Sequence, residues 1–323
     1  MPFIKSRNVL FGALALAFAI AAPAHAQQKS VAVTAIVEHP ALDAVRDGVK
    51  QGLAEEGFEE GKNLKWQYQS AQGNTGTAAQ IARKFVGDRV DVIVAIATPS
   101  AQAVVAATKN IPLVYSAVTD PVAAKLVPSM GPSGTNVTGA SDALELDKQI
   151  DLIKRVAPDA KRVGMVFNPG EANSIVVLEQ MREALPKHGM SLVEAAAPRS
   201  VDVGSAARSL IGKADVFYTS TDNNVVSAYE ALVKVGMDAK IPLVAADVDS
   251  VARGAVAAYG MDYRGLGVQT GKIVARILNG EKPGDIASET STKLELHVNP
   301  EAARRQGITL SDELVQSAAK VIQ

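Results

Sequence analysis

Strand-like and helix-like hydrophobic patterns alternate along most of the chain. Residues 31–37 form an almost unbroken apolar run, which is typical of a strand covered on both faces of a parallel sheet. The next segment starts at Pro40, carries Leu and Val at helical spacing and stops at Gly57. The alternation predicts βαβ units, with strands near 31–37, 64–69, 92–96, 113–115, 162–167, 191–195, 216–219, 243–245, 255–259 and 294–298. Helices are predicted near 40–56, 77–86, 100–108, 145–156, 174–185, 203–211, 224–235, 263–278, 300–306 and from 311.

This pattern occurs twice. Residues 91–100 and 215–224 are both apolar runs that end in a polar cluster, and each leads through a helical segment to Ile-Pro-Leu-Val, at 111–114 and 241–244. The offsets are 124 residues (91 to 215) and 130 residues (111 to 241), so the order is kept while loop lengths vary. Two similar α/β halves predict two lobes with a cleft between them, where a small molecule can be held.

The first 26 residues have the pattern of a cleavable signal peptide. Lys5 and Arg7 precede an apolar run over 9–20, and a small-x-small site ends at Ala26. Twelve apolar residues are too few for a membrane span, which needs about 20. The chain has no cysteine, which excludes disulfides, thiolate metal sites and a lipid anchor on cysteine. We therefore expect a mature protein without a stable membrane anchor, free in the periplasm of a double-membraned bacterium.

The charge balance argues against nucleic-acid binding. Without Lys5 and Arg7, the basic residues fall from 33 to 31 against 34 acidic residues, a formal charge of −3. A nucleic-acid-binding protein needs a strongly basic face.

Polar residues follow the predicted strands in both halves. Ligands of doubly wound sheets bind beyond the carboxyl ends of the strands, so these positions are the candidate site. Hydroxyls and helix N-terminal amides can bind a carboxylate, and acidic side chains can bind an ammonium, so this set suits a small zwitterion. Ser, Thr, Asp and Asn at these places are equally the usual N-caps of the next helix, which leaves capping open for each.

Catalysis and metal binding find little support in the sequence. His39, His188 and His297 lie far apart with no metal-ligand spacing, and the chain has no GxSxG elbow, P-loop or GxGxxG after its first strand. We therefore expect no catalytic residue, no metal and no cofactor. For His39, both capping a helix and lining the cleft remain open.

Several stretches together resemble one known family. They are residues 37–43, 97–100, 115–122, 136–142, 222–223 and 254–271. The chain is similar to the periplasmic substrate-binding proteins of ABC importers, in the branch related to tryptophan- and tyrosine-binding proteins. The resemblance implies the type I binding-protein fold, an α/β architecture of two hinged Rossmann-like lobes with parallel sheets, joined by three crossings. We place the first crossing near the breaker cluster at 131–134, with 27–140 plus about 261–284 in lobe one and 141–260 plus about 285–323 in lobe two.

The resemblance also implies a function and a set of site residues. The protein would close on a small ligand, an amino acid with an apolar or aromatic side chain, and deliver it as a monomer to an ABC permease with its ATPase subunit. Ser100 and Ser116 are the candidates for the ligand carboxylate, and Asp247, Asp222 and Glu38 for its amine. The full set is Glu38, Thr98, Pro99, Ser100, Ser116, Thr119, Asp120, Ser141, Asp142, Asn173, Ser174, Asp222, Asn223 and Asp247.

Three other functions remain as alternatives. A periplasmic ligand sensor would have the same fold and site. A periplasmic hydrolase would need a nucleophile with an oriented base. The ligand-sensing half of a transcription repressor would carry N-terminal DNA-binding helices instead of a signal peptide.

Overall fold

The computed structural model describes residues 1–3, 28–291 and 293–322. The predicted signal peptide, apart from its first three residues, lies outside the described residues. Within the described part of the chain, no helix combines the length and the apolarity needed to cross a bilayer.

The first lobe is built on a six-stranded, all-parallel sheet in the order β11-β5-β4-β3-β1-β2. Its strands are β1 (Lys29–Ala35), β2 (Leu64–Ser70), β3 (Val92–Ile96), β4 (Leu113–Val118), β5 (Val137–Ser141) and β11 (Glu289–Thr290). Its helices are α1 (Pro40–Glu55), α2 (Thr75–Gly87), α3 (Thr98–Ala107) and α10 (Tyr263–Leu278). Strands β1, β3 and β4 are buried almost throughout, as the continuous apolar runs predict.

The second lobe is built on a seven-stranded sheet in the order β13-β12-β10-β9-β8-β6-β7, in which only the β10–β12 pair is antiparallel. Its strands are β6 (Arg162–Phe167), β7 (Ser191–Ala196), β8 (Val216–Thr219), β9 (Leu243–Ala245), β10 (Ala257–Met261), β12 (Leu294–Val298) and β13 (Lys320–Val321). Its helices are α4 (Leu146–Val156), α5 (Ala172–Ala184), α6 (Val203–Ser209), α7 (Asn223–Ser227), α8 (Tyr229–Ala239), α9 (Asp249–Ala252), α11 (Pro300–Arg305) and α12 (Asp312–Gln316). Short 3-10 turns cover Leu185–His188, Ser200–Asp202 and Pro283–Asp285. Two separate parallel-dominated sheets confirm the predicted two-lobed α/β fold.

The chain crosses between the sheets three times, and the last crossing differs from the sequence prediction. Strand β5 belongs to the first sheet, so the first crossing follows Ser141, one residue beyond the predicted boundary at 140. The last crossing lies beyond Thr290 rather than near 285, because Glu289 and Thr290 pair with β5 and Ile286 packs in the first core. Two-residue strands such as β11 carry too little hydrophobic pattern to be recognised from sequence.

One predicted helix is divided. The segment expected as a single helix over 224–235 forms α7 and α8, with a break at Ala228, whose φ of −110° and ψ of 31° are not helical. No proline or glycine marks this break in the sequence.

Helix α10 is held in the first lobe by unusually close packing on α1. A Cβ atom at Gly267 would lie 2.2 Å from the backbone oxygen of Val45, and one at Gly48 would lie 2.3 Å from that of Arg264. Gly52 and Gly271 make equally close approaches one turn further along. The four glycines therefore let two helix backbones meet directly, and this contact fixes the segment that follows the second crossing.

Candidate functional site

Two adjoining cavities lie between the lobes. The first, here called the large cavity, has a volume of about 240 Å³. The second, the small cavity, has a volume of about 20 Å³, close to the space that one water molecule occupies. Both are lined by Thr119, Asp142 and Thr221, so the two cavities meet at these residues. The small cavity collects residues that follow strands of both sheets, as expected for a cleft between two α/β lobes.

The large cavity is mainly apolar. Its apolar walls come from the loop after β4, from the start of α4 and from α5, with the side chains Val122, Met130, Leu144, Leu146, Val176 and Val177. Polar side chains also line it. Gln149 donates to the backbone oxygen of Tyr259 at 2.8 Å, and the Ser220 hydroxyl is buried without a hydrogen-bond partner in the described structure. Apolar walls together with polar groups are the usual composition of a small-molecule pocket.

The two lobes touch where the cavities meet. The hydroxyl oxygens of Thr119, in the first lobe, and Thr221, in the second, lie 3.1 Å apart. Asn173 of the second lobe donates to the backbone oxygen of Thr221 at 3.1 Å, which holds this loop in place. The described conformation is therefore one in which the lobes are closed on each other.

The N-terminus of α3 lies next to the small cavity. Ala97, which lines the small cavity, adopts a φ of 72° immediately before the helix and offers no side-chain cap. The Thr98 and Ser100 hydroxyls are buried, and neither has a hydrogen-bond partner among the described residues. The first backbone N–H groups of a helix have no partner within it, and the helix dipole favours an anion there. Pro99 contributes no donor, since it lacks an N–H.

Asp142 is the carboxylate with free hydrogen-bonding capacity on both cavities. It is buried, accepts a hydrogen bond from the Tyr263 hydroxyl at 3.0 Å, and its Oδ1 atom has no partner within the described chain. Burial raises the pKa of Asp142, and the bond from Tyr263 opposes that shift. A buried carboxylate with one unsatisfied oxygen is suited to accept from a cation that enters the cleft.

The structure gives Asp222 and Ser174 a different role from the predicted one. Both oxygens of Asp222 are used inside the second lobe: they accept from the backbone of Val225 at 3.0 Å, from the Ser174 hydroxyl at 2.6 Å and from the backbone of Asn168. Asp222 is thus the N-cap of α7, the alternative left open by the sequence. Its prediction as an amine ligand is not supported, because Asp222 lines neither cavity and both of its oxygens are already paired.

Asp247 lines the small cavity, yet its oxygens are already paired. They accept from the backbone N–H and the hydroxyl of Ser250 at 2.8 and 2.7 Å. Burial raises the pKa of Asp247. The residue lies where the sequence predicted, but it has less capacity for a ligand amine than Asp142.

Seven of the predicted residues line neither cavity: Glu38, Thr98, Pro99, Ser100, Ser116, Ser174 and Asp222. Glu38 is exposed and accepts from Tyr68 and Gln72 on the surface of the first lobe, so the described geometry does not support it as an amine ligand. The Ser116 hydroxyl lies 2.7 Å from that of Thr270, which ties β4 to α10 and leaves Ser116 unable to serve a carboxylate as predicted.

Asp120 and Ser141 line the large cavity and also shape its backbone. Asp120 accepts from the backbone of Val122 and Ala123, at 3.0 and 2.9 Å, and closes the turn after β4. Ser141 donates to the backbone oxygen of Thr119 at 3.2 Å. They act mainly by fixing the loop that carries Thr119. Asn223 and Asn173 line the small cavity from the second lobe.

Sequence reasoning missed Glu171 and left His39 open. His39 lines the small cavity and makes no side-chain cap to α1; burial and then the charge of Arg253 lower its pKa to about 3. Glu171 is buried beneath Asn173 and Asn223, and burial followed by the nearby Asp222 charge raises its pKa to about 7. Acidic residues are common at helix N-termini, so a glutamate directly before α5 gives no sign in the sequence that it belongs to the site.

The comparisons with known proteins agree with this geometry. The family model described as ABC transporter substrate binding protein matches residues 30–322. A protein named tyrosine-binding protein, from Clostridioides difficile strain R20291, is 40% identical over 278 residues, which are 86% of this chain and 81% of the relative. The structure of an ABC domain in complex with L-Trp, from Streptococcus pneumonia, is 30% identical with a TM-score of 0.88, covering 92% of this chain and 100% of the other.

A third comparison bears on the closed conformation. A ligand-free, open substrate-binding protein from Clostridium difficile is 40% identical, yet its TM-score is only 0.68 over 91% of this chain and 99% of the other. The L-Trp complex is less similar in sequence but more similar in overall shape. The lobes of this protein are closed on each other, as the Thr119–Thr221 contact shows. This explains why its overall shape is more similar to the L-Trp complex than to the ligand-free, open structure. The chain belongs to the family of ABC transporter substrate-binding proteins.

Proposed function

We propose that this protein binds an amino acid with an aromatic side chain between its lobes and presents it to the permease of an ABC importer. The observation that carries the proposal is a set of buried, unpartnered polar atoms, two on the small cavity and two at the start of α3, directly after the cavity-lining Ala97. They come from both lobes: hydroxyls of Thr98 and Ser100 at one helix N-terminus, and oxygens of Asp142 and Asn173. A zwitterion supplies the complementary groups for all of them.

The ligand carboxylate is proposed to bind at the N-terminus of α3. The free backbone N–H groups of Thr98 and Ser100 and their hydroxyls are all donors, and the helix dipole adds a favourable field. Buried donors without partners are costly, so a carboxylate that satisfies several of them is strongly favoured.

The ligand ammonium is proposed to bind between Asp142 Oδ1 and Asn173 Oδ1. Both are buried acceptors without partners in the described residues, and both residues line the small cavity. Among the acidic residues at the cleft, Asp142 replaces the predicted Asp222, Glu38 and Asp247 in this role because it alone keeps an unpartnered, buried oxygen.

The ligand side chain is proposed to occupy the large cavity. Its volume of about 240 Å³ is below the ~300–1,000 Å³ of pockets for drug-sized ligands, which fits a single amino acid. Burying one aromatic ring, about 150–250 Å², contributes roughly 4–6 kcal/mol before costs. Micromolar binding needs about 8 kcal/mol, so hydrogen bonds to the charged head group must supply the rest, at about 1.5–3 kcal/mol each.

Binding is proposed to be coupled to hinge closure and not to catalysis. A ligand that touches both lobes favours the closed state by its differential affinity for it. Among the described residues, His39 is the one histidine that lines either cavity, and a pKa of about 3 makes it a poor general base near neutral pH. The signal-peptide pattern supports a periplasmic site of action.

The direct test is calorimetric titration of protein that has been unfolded, dialysed and refolded to remove any co-purified ligand. L-tyrosine, L-tryptophan and L-phenylalanine should bind with micromolar or lower Kd, and their des-amino and des-carboxy analogues at least tenfold more weakly. Equal binding of the amino acids and their analogues would refute the zwitterion site. Binding of none of them, with binding of a sugar or polyol instead, would refute the proposed ligand class.

A further inference from the structure

Glu171 is a buried carboxylate surrounded by side-chain amides. It is 4% exposed. Its Oε2 atom accepts from Nδ2 of Asn223 at 2.6 Å and from Nδ2 of Asn173 at 3.1 Å, while Oε1 accepts from Nδ2 of Asn168 at 3.2 Å. The backbone N–H of Asn223 adds a fourth contact at 3.3 Å. No Lys or Arg forms an ion pair with it in the described part of the chain.

These contacts determine which way two of the amides face. A side-chain amide has a donor end and an acceptor end, and an ionised carboxylate can only accept. Because Glu171 takes the Nδ2 ends of Asn173 and Asn223, the Oδ1 ends are directed away from it. Both residues line the small cavity, and Asn173 Oδ1 is buried without a partner in the described structure. Glu171 itself lines neither cavity.

We propose that Glu171 is a positioning residue that orients Asn173 and Asn223 so that the second lobe presents amide oxygens to the ammonium group of the ligand. The inference rests on the proposed function and deepens it, because it explains how a wall made of neutral amides becomes an acceptor site. It also explains why the ligand should be an α-amino acid rather than a carboxylic acid alone. Asp142 on the facing side completes the set of acceptors.

The arrangement has a chemical advantage over a carboxylate placed directly at the cavity. Asp142 already brings one acidic group to the small cavity, and Asp247 brings another. A third carboxylate in contact with the same ligand would add like-charge repulsion before the ligand enters. Glu171 instead acts on the ammonium only through the orientation of the two amides, without contacting the ligand.

The test compares an amino acid with its des-amino analogue. For Glu171→Gln, an isosteric side chain that can itself donate, L-tyrosine should bind about 10-fold to 100-fold more weakly, whereas 3-(4-hydroxyphenyl)propionate should bind within threefold of the wild-type value. If L-tryptophan or L-phenylalanine binds the wild type more tightly, that amino acid and its des-amino acid replace this pair. Glu194→Gln, the same chemical change at the Arg182 ion pair on β7, is the control and should alter neither affinity.

A merely structural role would weaken both ligands together, and that result would overturn the inference. Asn173→Ala provides a second route if Glu171→Gln does not fold, since it removes one proposed acceptor and leaves Glu171 paired with Asn223. It should lower the affinity for the amino acid at least fivefold more than that for the des-amino acid. An unchanged ratio in Asn173→Ala would also overturn the inference. Failure of the wild type to bind any amino acid would instead refute the proposed function.

Discussion

Asp142→Asn should separate ligand binding from stability. In the ligand-free protein the Asp142 carboxylate is buried with one oxygen unpartnered, and burial raises its pKa from the usual 3.8. The folded state therefore holds the proton more tightly than the unfolded chain does. Stability contributed by the protonated form is present below about pH 3.8 and is lost as the pH rises toward the folded-state pKa. An asparagine carries no such cost at pH 7, and its carbonyl can still accept from Tyr263.

The same substitution should weaken ligand binding. Losing one charged hydrogen bond to the ligand ammonium costs about 1.5–3 kcal/mol, which is roughly a 10-fold to 150-fold increase in Kd. Calorimetric titration with L-tyrosine measures the affinity, and urea unfolding of the ligand-free protein measures the stability. We expect a weaker Kd together with an unchanged or higher free energy of unfolding. Unchanged affinity would refute the assignment of Asp142, and a large loss of stability would refute the argument that its charge is uncompensated.

Further predictions concern packing, protonation and closure. Gly267→Ala places a Cβ against the backbone of Val45 and should lower the free energy of unfolding by about 1–3 kcal/mol in urea titrations, whereas Gly87→Ala, with open space around it, should have little effect or stabilise slightly. Because burial lowers the pKa of His39, the free energy of unfolding should fall as the pH drops below about 6.5. His39→Gln should reduce this loss between pH 6.5 and 5 by about 2 kcal/mol, measured by urea unfolding at each pH. The same pH profile in the variant and the wild type would contradict the burial of His39 in its neutral form. Small-angle scattering should show a smaller radius of gyration with L-tyrosine than after its removal, and equal radii would argue against hinge closure.

The sequence predicted the architecture well because that information is repeated many times along the chain. Strands β1, β3 and β4 of the first sheet coincide with apolar runs, and the second half of the chain repeats the order, so single errors do not change the predicted fold. The crossings were harder to locate. Strand β11 has two residues, and its place beside β5 depends on contacts such as the bond from Thr138 to the backbone of Ile286, which leave no local pattern.

The candidate site was predictable in position but not in role. Residues after the strands do gather at the cleft, yet the sequence could not show which polar groups are already paired. Asp222 and Asp142 look alike in sequence, since each follows a strand. The first is saturated by Ser174 and two backbone N–H groups, whereas the second keeps a free oxygen. Glu171 was missed because its effect passes through two neighbouring amides.

The most direct test is a structure of the protein with an aromatic amino acid bound. The account predicts the ligand carboxylate at the N-terminus of α3, within hydrogen-bond distance of Thr98 or Ser100. Its ammonium should lie against Asp142 and Asn173, and its ring should fill the large cavity next to Val122 and Val176. A ligand held by one lobe alone, or one whose carboxylate faces Asp142, would contradict the account.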